Sequence, residues 1–117
     1  MIEVVYEVMT QPGAGGRFEL VFGPGGAWSD LFSECPGFRG TTVLRDTTDP
    51  RRYMIVDLWD SEVARERAIA EQQDAYLALE ADLNTWTAAR QDLGTFRILN
   101  SATVRSRPTS RRRGRTR

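Results

Sequence analysis

The stretch from Phe38 to Trp59 constrains this chain more than any other. FRGTTVLRD and RYMIVDLW are runs of strand-forming residues, joined by TTDPR. In that joint Asp49-Pro50 sets a bend and disfavours helix before the proline. Two strands this close in sequence pair as an antiparallel hairpin, so the rest of the chain must fold around a hairpin. Residues 2–9, IEVVYEVM, give another strand, and QPGAGG (11–16) is loop chemistry. Helix is expected over 17–35, with apolar positions at Phe18, Val21, Phe22, Trp28, Leu31 and Phe32. FGPGGAW (22–28) interrupts it, because proline and three glycines do not suit a helix interior. A short helix, a break and a second piece from about Ala27 to Glu34 are therefore expected. Cys35-Pro36-Gly37 ends that piece before the hairpin.

After the hairpin, Asp60 or Ser61 is an N-cap and Glu62 an acid in the first turn. Helix is expected from about 61 to 90, with a bend or break near 71–74 or 84–85. Leu93-Gly94 ends it, and Thr95–Asn100 makes a fourth strand. The order is strand, helix, strand, strand, helix, strand. With right-handed crossovers this is the split βαβ, ferredoxin-like α+β arrangement: a four-stranded antiparallel sheet with both helices on one face. Residues 1–102 form the expected domain. Residues 103–117 have no core-forming residue after Val104 and read as a disordered Arg-rich tail.

Charge follows the same division. Residues 1–102 hold all 16 acids against 9 Arg, a net −7, and the last 15 residues hold 7 Arg and no acid, a net +7. The tail has no interleaved aromatics and hangs from an acidic body that repels phosphate, so nucleic acid is not an expected partner. There is no apolar run of membrane-spanning length and no signal-peptide pattern at the start, which points to a cytoplasmic protein. The absence of His and Lys excludes a Ser-His-Asp triad, imidazole metal ligation and Schiff-base chemistry. A single cysteine, Cys35, excludes an internal disulfide and a multi-cysteine metal site. No cofactor is expected.

Strand alternation sorts side chains into two sets. Glu7, Arg45, Tyr53, Asp57, Trp59 and Arg97, with Val5, Val43 and Ile55, fall on one expected face. Tyr6, Val8, Leu44, Met54, Val56, Leu58, Phe96 and Ile98 fall on the other, which suits packing under the helices. The first set is too apolar for solvent and too charged for a monomer core. Two such sheets facing each other in a homodimer explain it. Its charged members then serve as interface ion pairs or line a ligand pocket.

Residues 36–61 carry a family resemblance. Pro36-Gly37-Phe38, Gly40, Leu44-Arg45, Asp49-Pro50, Arg52-Tyr53 and Asp57 two residues before Trp59, followed by Asp60-Ser61, resemble the antibiotic biosynthesis monooxygenase-type domain. The resemblance extends by order of elements over about residues 2–100. It implies a ferredoxin-like protomer that pairs as a dimeric α+β barrel. Family members differ in chemistry, so the fold does not decide the reaction. Some oxidise phenolic polycyclic compounds to quinones with O₂ and no metal or flavin. Others degrade haem with a helix His and a first-strand Asn, and this chain has neither: its first strand carries Tyr6 and Glu7.

The resemblance thus implies a cofactor-independent monooxygenase acting on a small aromatic or phenolic compound. The other reading is a non-catalytic binding or accessory dimer of the same fold. Such oxygenation needs a base to deprotonate a phenol or acidic C–H, and a site that holds the resulting anion while it passes an electron to O₂. Without His or Lys the base is a carboxylate, a tyrosinate or water. Asp57 and Glu7 are the strand carboxylates, and Arg45 or Arg97 are candidates to hold the anion. Tyr6, Trp28, Phe32, Tyr53, Trp59, Tyr76 and Trp86 are candidates to clamp a flat substrate, each also a natural core residue.

Overall fold

A computed structural model describes residues 1–99. The expected tail at 103–117 and the domain boundary at 102 lie outside the described residues. The elements are β1 (Ile2–Thr10), α1 (Gly15–Phe22), α2 (Ala27–Phe32), β2 (Phe38–Arg45), β3 (Arg52–Trp59), α3 (Glu62–Glu71), α4 (Gln73–Trp86) and β4 (Thr87–Arg97). The strands form one antiparallel sheet in the order β2-β3-β1-β4. This is the ferredoxin-like arrangement, with the hairpin on one side and the two terminal strands paired beside it.

The breaks fall where local chemistry puts them. Gly26 follows Leu20 and Val21 so closely that a Cβ there would lie 2.3 Å from both of their carbonyl oxygens, and Gly25 has φ +75°. The glycines thus turn α1 into α2 through a tight corner. Ser61 caps α3, its hydroxyl accepting from the Ala64 N–H at 3.1 Å. The long helical stretch divides at Gln72, within the expected 71–74 window.

The chain departs from expectation in its last quarter. The helix ends at Trp86, not near 90, and the fourth strand begins at Thr87, eight residues early. TAARQDLG has little strand propensity, but pairing with the whole length of β1 overrides it. Gly94 is not a helix terminator. It sits inside β4 at φ +132°, where the register against β1 shifts between Val5 and Tyr6.

Register also corrects the two faces. Tyr6 pairs with Ile55, Val8 with Tyr53, Val4 with Asp57 and Ile2 with Trp59. Hence Ile2, Tyr6, Val8, Tyr53, Ile55, Asp57 and Trp59 share one face, and all are buried under the helices. Glu7 pairs with Met54 and Val5 with Val56, on the opposite face. Leu44, Leu58 and Phe96 join them there. The set expected to be bare is, apart from Glu7 and Val5, the covered one. Asp57, Tyr53 and Arg45 of that set find partners inside the protein and Arg97 is exposed at the strand end, whereas Leu44 (49% exposed) and Phe96 (51%) lie open on the opposite face.

The helices cover the sheet with an aromatic row. Ring centroids link Tyr53 to Phe18 (4.6 Å), Phe18 to Phe22 (4.9 Å), Phe22 to Trp28 (4.9 Å), Trp28 to Phe32 (5.4 Å) and Phe32 to Trp59 (5.2 Å). Both ends of the row belong to β3, and Asp57 lies on that strand between them. Each ring removes a large apolar area from water; Phe18 and Phe22 stack, and the other pairs pack tilted or edge-on.

Candidate functional site

Asp57 is held beneath this row. The Trp28 indole donates to its Oδ1 at 3.0 Å, and the Thr41 hydroxyl donates to the same oxygen at 2.6 Å. Neither bond uses Oδ2. The glycine corner positions Trp28, and the pairing of β2 with β3 positions Thr41 directly opposite Asp57. The carboxylate is 3% exposed, and burial pushes its pKa up; the Thr41 and Trp28 hydrogen bonds and the charges of Arg65 and Arg90 act against that shift.

Tyr6 lies on the neighbouring strand, also 3% exposed, and its hydroxyl has no hydrogen-bond partner among the described residues. Burial, followed by the charge of Asp57, holds its pKa well above the usual phenol value. The Arg90 guanidinium sits 4.5 Å from the centre of the Tyr6 ring, bound to Glu80 at 2.7 Å and to Asp92 at 3.2 Å. Tyr76 packs against Trp28 at 5.7 Å and against Phe32 at 6.2 Å. Its phenol is raised by burial and by Glu80. A cleft of about 200 Å³ between α3 and β4 reaches this cluster; its walls include Tyr6, Arg65, Arg90, Asp92 and Gly94. The cleft does not open on Trp28, Tyr76 or Trp86.

The structure thus brings together Tyr6, Trp28, Phe32, Asp57 and Tyr76 of the expected site residues. Glu7 is on the other side of the sheet, where Arg52 bridges it to Asp46. Tyr53 and Arg45 form a separate group at the α1 end: the Tyr53 hydroxyl donates to Glu19 at 2.5 Å, and Arg45 reaches the same carboxylate at 3.2 Å. Burial and Glu19 raise the Tyr53 phenol too. Trp59 packs between Phe32 and Phe38 at 1% exposure. Trp86 is half-buried at the end of α4, where its carbonyl accepts from the Gln11 N–H. Arg97 ends β4, exposed, opposite Ile2. Sequence reasoning missed Thr41, Arg65, Glu80 and Arg90. Placing Thr41 needed the hairpin register, and Arg90 was assigned to helix when it belongs to a strand.

All three tyrosines of the chain are therefore neutral near pH 7, and Asp57 is the one buried carboxylate among the described residues. Among the described residues no group of three or more His, Cys, Asp or Glu side chains is gathered as metal ligands, and no helix is long and apolar enough to cross a membrane.

The fold and this buried acid–aromatic cluster define a small ferredoxin-like α+β protein with its polar chemistry between helices and sheet. The model of the antibiotic biosynthesis monooxygenase family matches residues 1–81, and the chain belongs to that family. Among solved structures it is similar to SnoaB of Streptomyces nogalater, a cofactor-independent oxygenase. The two are 25% identical with a TM-score of 0.72, over 86% of this chain and 95% of that one. A point variant of SnoaB aligns at 26% identity and a TM-score of 0.71, over 83% of this chain and 91% of that one. Rv0793 of Mycobacterium tuberculosis shares the fold at 15% identity and a TM-score of 0.65, over 87% and 98% of the two chains. No curated protein matches the sequence significantly.

Proposed function

We propose that the protein is a cofactor-independent monooxygenase that oxidises a small aromatic or phenolic compound with O₂. The observation that carries this is Asp57. It is a buried carboxylate whose proton affinity is raised by burial, roofed by Trp28, beside a Tyr6 hydroxyl with no partner. The likeness to SnoaB supports the reaction class. Asp57 acts as general base through Oδ2, and its raised pKa brings it closer to that of a phenol or activated C–H. The neutral Tyr6 hydroxyl and the Arg90 guanidinium stabilise the anion left behind. That anion passes one electron to O₂, the radical and superoxide combine to a peroxide, and the peroxide takes a proton and, with loss of the C–H proton and cleavage of the O–O bond, releases water and leaves a carbonyl. Glu7 has no part in this step, since it lies across the sheet.

The protein acts as a homodimer joined through the bare sheet face, where Val5, Leu44, Met54, Val56, Leu58 and Phe96 lie together. The catalytic unit is residues 1–102, working in the cytoplasm, and residues 103–117 are dispensable for it. Oxygen uptake with a panel of hydroquinones and anthrones tests the enzyme reading. Wild type should consume O₂, Asp57→Asn should lose at least about a hundredfold, and Glu7→Gln should keep most activity. The depth of Asp57 behind Trp28 favours one second reading, a binding or accessory dimer without turnover. An inactive wild type that still binds these compounds would establish it.

A further inference from the structure

The proposed base is sealed in. Asp57, Trp28 and Tyr6 are each 3% exposed, so an aromatic ligand reaches the Asp57 carboxylate only if part of its cover moves. Helices α1, α2 and α4 carry the rings that close this space, and two of the three are fastened. α4 runs into β4 without a loop, buries Leu83 completely and is tied to the sheet by the Glu80–Arg90 ion pair at 2.7 Å. α1 is held by Glu19, which accepts from the Tyr53 hydroxyl at 2.5 Å and pairs with Arg45 at 3.2 Å. α2 is different. It has six residues, fewer than two turns, and a helix that short is marginal without packing. Its N-terminus has no side-chain cap. Glycines at positive φ flank it, Gly25 at +75° and Gly37 at +91°, and a Cβ at Gly25 would meet nothing within 4 Å. Among the described residues α2 makes one hydrogen bond to the sheet, from the Trp28 indole to Asp57 Oδ1 at 3.0 Å.

We propose that α2 is a lid that swings on Gly25 and Gly37 to admit an aromatic ligand to Asp57, with the Trp28 indole as its latch. Closed, the latch occupies Oδ1 and covers the carboxylate. Open, it parts Trp28 and Phe32 from Tyr76, which they now meet at 5.7 and 6.2 Å, and a flat ligand replaces those ring contacts. Thr41 stays on Oδ1 throughout, because it belongs to β2, which is paired to β3, so Asp57 keeps one donor while uncovered. The lid rests on the reading that Asp57 is where the ligand reacts, but its motion belongs to the free protein and does not require turnover.

Native-state hydrogen exchange on the full chain, without ligand, reads the lid directly. The Trp28 indole N–H and the amides of Asp30, Leu31 and Phe32 should exchange together, at least about tenfold faster than the amides of Leu83 and Ile55 and with little dependence on denaturant. Trp28→Phe keeps a ring and removes the donor. It should speed the α2 amides about tenfold more while Leu83 and Ile55 change much less. Dicyclohexylcarbodiimide, a neutral reagent for carboxyl groups, should label Asp57 at a rate that rises in step with the α2 amides in that variant. Exchange of α2 only together with Leu83 and Ile55, an equal increase at all of these sites in Trp28→Phe, or Asp57 labelling unchanged by that substitution would each overturn the lid. None of these measurements uses O₂. A working lid with no O₂ uptake would overturn the oxygenase reading alone, and uptake without separate opening of α2 would overturn the lid alone.

Discussion

At the scale of single residues, Asp57 is the buried carboxylate of the proposed site, and its environment sets opposing demands. Burial disfavours the carboxylate, and two hydrogen bonds into Oδ1 restore part of that loss. Its pKa in the fold is above its unfolded value, so its contribution to stability is fully present below about pH 4 and is lost as pH rises through the folded value. Asn at this position keeps an oxygen for Trp28 and Thr41 and never ionises. Denaturant unfolding should therefore show Asp57→Asn gaining on wild type between about pH 4 and neutrality; a constant difference across that range would contradict the assignment. Thr41→Val removes the 2.6 Å bond and should cost about 1–2 kcal/mol. It should also move the acidic limb of the pH–rate profile upward, because the anion loses a donor. Asp57 was readable as a candidate from strand alternation. Thr41 was not, because nothing local distinguishes it from Thr42 until the register of β2 on β3 is fixed.

At the scale of elements, the corner between α1 and α2 decides where Trp28 stands. Gly23 and Gly26 approach the carbonyls of the preceding turn, and Gly25 holds a positive φ. Gly26→Ala should destabilise the fold by about 1–3 kcal/mol through overlap with the Leu20 and Val21 carbonyl oxygens. It should also disturb the Trp28–Asp57 bond, seen as a shifted indole N–H resonance. An unchanged melting temperature and resonance would show that the corner yields easily. The break itself was legible, because proline and clustered glycine act locally. β4 was not: Ala88, Ala89 and Arg90 favour helix by themselves, and only pairing with β1 makes them strand.

At the scale of the whole molecule, the sheet has one face roofed with aromatics and one left apolar and open. Glu7, Arg52 and Asp46 cross its edge as an ion-pair group, while Val56 lies in mid-sheet between Val5 and Thr42. Sedimentation at micromolar concentration should find a dimer, and Val56→Glu should give a folded monomer by placing a charge at the centre of the face. A wild-type monomer would remove the pairing.

The order of elements, the ferredoxin-like class, the glycine corner, an Asp60 or Ser61 cap and the family resemblance of residues 36–61 are legible in the chain alone. Each of these rests on turns, caps and periodicity, which act over a few residues. The sequence also limited the chemistry, since a chain without His or Lys must work with carboxylates and phenols. Only the tertiary structure decided which face the helices cover and that Glu7 and Asp57 are separated by the sheet. It alone showed that Arg65, Arg90 and Tyr6 meet at one cleft. The reason is the two-residue period of a strand: a shift of one position in β1 against β3 moves every side chain to the other face, and no local signal fixes that register.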